Sequence, residues 1–216
     1  MEVIGDYERD GYAHLKGLIA PEVGQALLTM LRRDIGPAAI PLSKVTEFPN
    51  LLRRPAFEVY GHHYPAMQGL LWGLTPVVSQ LVGKDLLPTY DYLRIYREGD
   101  VCQIHFDRPS CEHSVSLTLD YSDGAAWPLE IGTQPHDEPN ASVEPDFGDE
   151  PFSSIAMGTG DAVLYRGTNH RHGRINPNPN GWSAHLFLHW VERGGIYADH
   201  AFDRQLEPSK VNFSFA

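Results

Sequence analysis

The apolar positions of this chain follow two different periods. Before residue 88 the regular stretches repeat at helical spacing, and after Pro88 they alternate with polar residues in runs of strand length. Pro21 to Arg33 predicts a helix: Pro21 suits the first helical position, Glu22 the first turn, and Arg32 and Arg33 the last, with Gly36 ending it. Asp6 to Tyr12 predicts a short polar helix or turn. Tyr64 to Val82 has helical apolar spacing, with Pro76 starting a second helix behind a Thr75 cap. Residues 37–58 carry Pro37, Pro41, Pro49 and Pro55 without periodicity and predict an irregular segment that lines or covers a pocket.

The second half predicts eight strands: Thr89 to Arg97, Val101 to Asp107, Ser114 to Tyr121, Trp127 to Ile131, Ser153 to Met157, Ala162 to Tyr165, His170 to Ile175 and Ala184 to Val191. Turn residues separate them, among them Glu98-Gly99-Asp100 and the Asn176 to Gly181 cluster. Eight short strands behind a helical half imply an α+β chain, with an all-β core packed as a two-sheet jelly-roll barrel and N-terminal helices buttressing the outside. The expected organisation is one domain over residues 1–216, with helical support over about 1–87 and the barrel core over about 88–191. Residues 132–152 form an acidic, Pro-rich insertion long enough to be a lid over the barrel mouth.

Composition narrows the partners. Seventeen basic residues against 28 acidic give a net charge of −11, and no Lys/Arg-rich run occurs, which argues against nucleic acid. The first residues lack a basic region followed by an apolar run, and no apolar stretch is long enough to span a bilayer. The expectation is a soluble, non-secreted, cytoplasmic protein without a membrane partner; nothing fixes its oligomeric state. Cys102 and Cys111 read as buried small hydrophobes in a reducing compartment, with a disulfide between them as the alternative.

The candidate chemistry sits in Gln103-Ile104-His105-Phe106-Asp107 and in Asn169 to Arg174. Residues two apart on a strand share a face, so His105 and Asp107 project together. A third ligand from a neighbouring strand, with His172 as the candidate, completes two imidazoles and one carboxylate with open positions, a set that selects non-haem Fe(II). Tyr92, Arg94 and Tyr96 form an alternating stripe, a pattern more common in core packing than in a site. His170 shares the face of His172 and reads either as a residue orienting that ligand or as a solvated strand end. His185 and His189 share one side of the last strand, with His189 read as core. Arg108 faces away from Asp107 if the strand continues, and towards substrate if the chain bends.

In this order, strands and ligands resemble the Fe(II)/2-oxoglutarate-dependent dioxygenase superfamily over roughly residues 88–191. Tyr96-Arg97-Glu98-Gly99-Asp100 before His105-Phe106-Asp107 is similar to the Tyr-x-x-Gly and His-x-Asp run of its prolyl-4-hydroxylase-like branch, and Gly160 to Gly167 leading to His172 resembles the segment of the distal ligand. The resemblance implies a double-stranded β-helix of cupin-like form, with Fe(II), 2-oxoglutarate and O2 as cofactor and cosubstrates and ascorbate as a reductant. The implied reaction decarboxylates 2-oxoglutarate to succinate and oxidises an unactivated C–H bond. A carboxylate at Asp107, where a halogenating branch has Gly or Ala, favours hydroxylation, with desaturation or ring formation open to the same chemistry.

One feature departs from that pattern. Many members carry Lys or Arg on the last barrel strand to pair with the far carboxylate of 2-oxoglutarate, and here Gly181 to His185 holds no fixed cation. A buried carboxylate needs a charged or multiply donating partner. Arg174, two residues beyond His172 and on its face, is the first candidate, Arg94 the second and His185 the third, with the Tyr96 hydroxyl as a further donor. That gap keeps a rival reading open, a cupin-like metal-binding barrel (an isomerase or ligand-binding module) that uses no oxoacid; a structural or interaction protein is a third. A small molecule or free amino acid is the preferred substrate, and a peptide is the other.

Overall fold

The computed structural model describes residues 1–35, 43–45, 51–137 and 141–204. Twelve strands run as β1 (Glu2–Ile4), β2 (Tyr12–Lys16), β3 (Ser43–Val45), β4 (Ala56–Tyr60), β5 (Leu86–Arg97), β6 (Cys102–His105), β7 (His113–Tyr121), β8 (Leu129–Gly132), β9 (Phe152–Ile155), β10 (Ala162–Tyr165), β11 (His172–Arg174) and β12 (Trp182–Glu192). Three α-helices accompany them: α1 (Tyr7–Asp10), α2 (Pro21–Ile35) and α3 (Pro65–Val82). The strands form two antiparallel sheets, a larger one ordered β1-β2-β10-β7-β12-β5-β4-β3 and a smaller one ordered β6-β11-β8-β9. All eight strands expected after Pro88 are present, four in each sheet, in a mostly antiparallel, jelly-roll-like arrangement.

The N-terminal part is less helical than its spacing suggests. β1 and β2 extend one edge of the larger sheet through β10, and β3 and β4 extend the other through β5. Residues 56–58, the end of the stretch expected to be irregular, instead belong to β4, because Phe57 to Tyr60 find a full ladder partner in Tyr92 to Ile95. Of the rest of that segment, Ser43–Val45 form β3, 51–55 are irregular with Leu52 bridging to Cys102, and 37–42 and 46–50 lie outside the described residues.

Pro76 does not start a second helix; α3 runs through it. Thr75, expected as a cap, instead donates from Oγ1 to the Leu71 carbonyl at 2.9 Å and accepts the Trp190 indole N–H at 2.9 Å. An interior proline costs about 3 kcal/mol. Burial of Met67 and Leu71 before it and Val78 after it contributes about 1.5–3 kcal/mol each, so a continuous helix wins.

The alternation along the strands sorts side chains to two unlike faces. From β7, Val115, Leu117 and Leu119 turn outward, and from β12 Leu186, Leu188 and Trp190, onto Leu27, Leu28 and Leu31 of α2 and the apolar face of α3. The same strands send Ser114, Ser116, His185, Phe187 and His189 inward, between the sheets. The main apolar core thus lies outside the larger sheet, and the space between the sheets is left to polar and aromatic groups. No helix among the described residues is long and apolar enough to cross a membrane.

Asp91, on the outer face of β5, is 2% exposed and packs so tightly under Gly61 that a Cβ there would stand 1.9 Å from its Oδ1. Burial pushes its carboxyl up to about 7. The folded chain then holds this proton more tightly than the unfolded chain does at about 3.9, so the stabilising contribution is full below about pH 4 and is lost as pH rises through about 7. Asp91→Asn removes this dependence: its melting temperature gains on the parent's as pH rises from 4 to 8, and a gap independent of pH contradicts the assignment.

Candidate metal centre

β6 and β11 pair antiparallel in the smaller sheet, and their register sets His105 directly opposite His172. β6 ends at His105, so Asp107 is held by something other than strand continuation: its N–H donates to the Gly167 carbonyl at 2.9 Å, tying it to the loop before β11. The carboxylate thereby meets both rings. Asp107 Oδ1 lies 3.7 Å from His105 Nε2 and 3.4 Å from His172 Nε2, and the three ligand atoms all fall within 4.8 Å of one another.

Each imidazole is fixed in one tautomer. His105 Nδ1 donates to the Gln103 carbonyl at 2.8 Å and His172 Nδ1 to the His170 carbonyl at 2.9 Å. A carbonyl only accepts, so both Nδ1 atoms carry a hydrogen and it is the Nε2 atoms that face the carboxylate. Burial disfavours the Asp107 anion, yet the two facing imidazoles hold its pKa well below the usual range. Burial and the neighbouring His172 push His105 down; for His172 burial is outweighed by Asp107 and its pKa rises.

Two residues not singled out in the sequence set this geometry. The Ser114 hydroxyl lies 3.2 Å from Asp107 Oδ2 and 2.8 Å from His189 Nδ1, so His189, read above as core, joins a chain of hydrogen bonds ending on the carboxylate. Gly167 leaves room for it, since a Cβ there would stand 2.3 Å from Asp107 Oδ2. The signal for Ser114 was present in the serine-rich inward face of β7; that for Gly167 was a close approach that one sequence does not display. His170 contributes its carbonyl rather than its ring, which bonds the Gly132 carbonyl at 2.8 Å.

Arg94, Tyr96 and Arg174 surround a small cavity of about 20 Å³ beside the triad. The Tyr92, Arg94 and Tyr96 stripe, whose alternation alone reads more often as core while Arg94 and Tyr96 were also anchor candidates, lines this cavity. The two arginines are held differently. Arg94 forms a buried ion pair with Glu58, and its Nη1 donates to the Tyr96 hydroxyl at 3.2 Å. Arg174, 1% exposed, donates to the Trp127 carbonyl, to Ser116 Oγ at 3.4 Å and to His185 Nδ1 at 3.3 Å. None of these is an anion, and no carboxylate lies within ion-pairing distance of Arg174 among the described residues. His185 accepts that bond, and burial and the two arginines hold its pKa well below the ordinary value, which removes it as a cationic anchor.

A larger pocket of about 670 Å³ opens from the same centre, lined by Leu51, Tyr60, Tyr90, Tyr92, Phe106 and Val143. The chain bends after β6, so Arg108 also lines this pocket, over the Tyr90 ring at 4.2 Å and paired with Asp203 at 3.2 Å. From the insertion, residues 141–143 line it and Glu144 bridges to Ile104; residues 138–140 lie outside the described set. Cys102 and Cys111 are both buried free thiols.

No protein-family profile matches the chain, and no curated protein matches it. Solved structures do. SnoN, a non-haem α-ketoglutarate-dependent epimerase of nogalamycin biosynthesis, superposes with a TM-score of 0.68 at 12% identity, over 95% of this chain and 91% of its own. A prolyl-4-hydroxylase from Pseudomonas putida gives 0.61 at 15% identity, over 88% and 96%. HygX from Streptomyces hygroscopicus, with nickel, 2-oxoglutarate and hygromycin B bound, gives 0.62 at 12% identity, over 86% and 84%. The chain thus has the fold of these enzymes.

Gly167→Ala drives a methyl group into Asp107. The variant is expected to bind Co(II) or Fe(II) at least about tenfold more weakly, the scale seen when a ligand's support is lost. Unchanged affinity in a folded variant contradicts the role given to Gly167.

Proposed function

We propose that this protein is a non-haem Fe(II)/2-oxoglutarate-dependent oxygenase that oxidises a C–H bond of a small molecule, with succinate as coproduct. The observation that carries the reading is the convergence of His105, Asp107 and His172 through two Nε2 atoms and one carboxylate. That donor set fits a divalent iron: mixed nitrogen and oxygen, three ligands on one side, the other side turned to a pocket. When bound, iron with 2-oxoglutarate supplies the oxidising power for O2-dependent attack on an unactivated C–H bond.

The chain's own residues supply placement. Arg174, a buried cation among neutral partners, takes the distal carboxylate of 2-oxoglutarate, which removes the cost of several kcal/mol that either charge bears when buried alone. Tyr96 adds its hydroxyl, and Arg94, already neutralised by Glu58, orients Tyr96. The barrel is read as a double-stranded β-helix whose two sheets clasp this centre. Tyr90 and Tyr92, with Phe106, give substrate an apolar, aromatic wall and keep water from the reacting carbon. The Asp107 carboxylate keeps its ligand position filled, which favours hydroxylation, although the structural relatives include an epimerase. HygX binds 2-oxoglutarate and hygromycin B in this fold, which supports a small-molecule substrate over a peptide. Ascorbate is expected to serve as reductant, and a reducing cytoplasm suits the two free thiols.

Pure protein with Fe(II), ascorbate and 2-oxoglutarate is expected to release succinate, faster with substrate, and 2-oxoglutarate is expected to raise its melting temperature. Arg174→Gln should raise the KM for 2-oxoglutarate roughly 100-fold, an energy of about 2–3 kcal/mol for a lost charged hydrogen bond, with iron affinity retained. Neither succinate nor thermal protection in the wild type would favour the oxoacid-free barrel; an unchanged KM would move the anchor to Arg94.

A further inference from the structure

A second group of ligand-type side chains lies on the other face of the larger sheet. Ser114 points inward to Asp107, so the preceding His113 points outward, towards α1. There its ring meets Glu112 and Glu192, the last residue of β12, with one ligand atom of each within 4.8 Å of the others and His113 Nε2 at 3.7 Å from Glu192 Oε1. The three residues line a polar cavity of about 270 Å³.

His113 is 4% exposed, and its Nε2 has no hydrogen-bond partner among the described residues although it faces this cavity. Its other nitrogen is 2.6 Å from the Tyr7 hydroxyl, a contact that can hold the hydrogen on Nδ1 and leave the Nε2 lone pair directed at the two acids. One oxygen of each carboxylate is engaged: a Glu112 oxygen accepts the Glu192 backbone N–H at 2.8 Å, and Glu192 Oε2 accepts from Lys84 at 3.4 Å. That leaves the second oxygen of each for a ligand. Lys84 and Arg166 also line the cavity, the Arg166 guanidinium lying over the Tyr7 ring and donating to the Glu8 carbonyl at 3.4 Å.

We propose that Glu112, His113 and Glu192 form a second site, for a first-row divalent cation such as zinc, separate from the His105/Asp107/His172 centre. One imidazole and two carboxylates supply the nitrogen and oxygen donors that zinc takes, three in number, with a fourth position left to water. Bonds of about 2.0–2.2 Å place such ligand atoms about 3.3–3.6 Å apart, so small rotations of the two glutamates close the observed spacing. A cation gives the unpartnered His113 Nε2 a partner and clamps the end of β12 to the start of β7.

Zinc is the probe, and the full chain carrying Asp107→Ala and His172→Ala removes the first centre from the count. This chain is expected to bind one equivalent of Zn2+ by calorimetry and to melt higher with it. Adding Glu192→Gln or Glu112→Gln should weaken binding at least about tenfold. Both positions are partly exposed, so these variants test the site without emptying the core as His113→Ala would. An anomalous peak at the zinc edge beside His113 Nε2 supports the site even where a variant melts early. No bound zinc, affinity unchanged in both glutamate variants, or a peak away from His113 overturns it.

Discussion

The site depends on the register between β6 and β11. A strand that slips by one residue turns every side chain to the opposite face, so the pairing of His105 with His172 decides whether two imidazoles share a centre or point to opposite sides of the smaller sheet. Three residues of β11 are a short ladder to carry that responsibility. Other contacts hold it: β8 pairs the free edge of β11 through Ile131 and Glu130, and a Cβ on Gly173 would stand 2.7 Å from the Cys102 carbonyl, so the strands approach as closely as glycine permits.

Around that pairing the fold divides its labour between two faces of one sheet. The outer face of β5, β7 and β12 buries aliphatic side chains against α2 and α3 and supplies the cohesion. The inner face is released from that duty and carries serines, histidines, tyrosines and arginines, which in a conventional core would cost unsatisfied hydrogen bonds. Here most are bonded to one another: Ser114 to His189 and Asp107, Arg94 to Glu58 and Tyr96, Arg174 to Trp127 and His185. Arg174 stands apart as a buried charge whose hydrogen-bond partners are neutral, with Glu130 acting on it only from beyond ion-pairing distance, and an anionic ligand is a natural complement to it.

Much of this was legible in the sequence. The alternation after Pro88 placed all eight core strands, because a half-buried strand must alternate, and His105, Asp107 and His172 stood out by ligand type and order. What escaped was non-local. Ala13 belongs to a strand only because the edge of β10 is there to pair with it, Val3 only because β2 is, and β4 only because β5 is. Thr75-Pro76 carried a local start signal that tertiary burial overrode, as Trp190 took the threonine hydroxyl. The stripe of Tyr92, Arg94 and Tyr96 was ambiguous for the reason just given: alternation shows that a face is buried and does not say whether it is packed against helices or turned towards a site.

The most direct measurement is an anomalous-scattering map of crystals grown without oxygen in the presence of Fe(II). The account predicts a peak about 2.0–2.2 Å from the Nε2 atoms of His105 and His172 and from an oxygen of Asp107. A map with no peak there, or with iron only elsewhere on the chain, would contradict it.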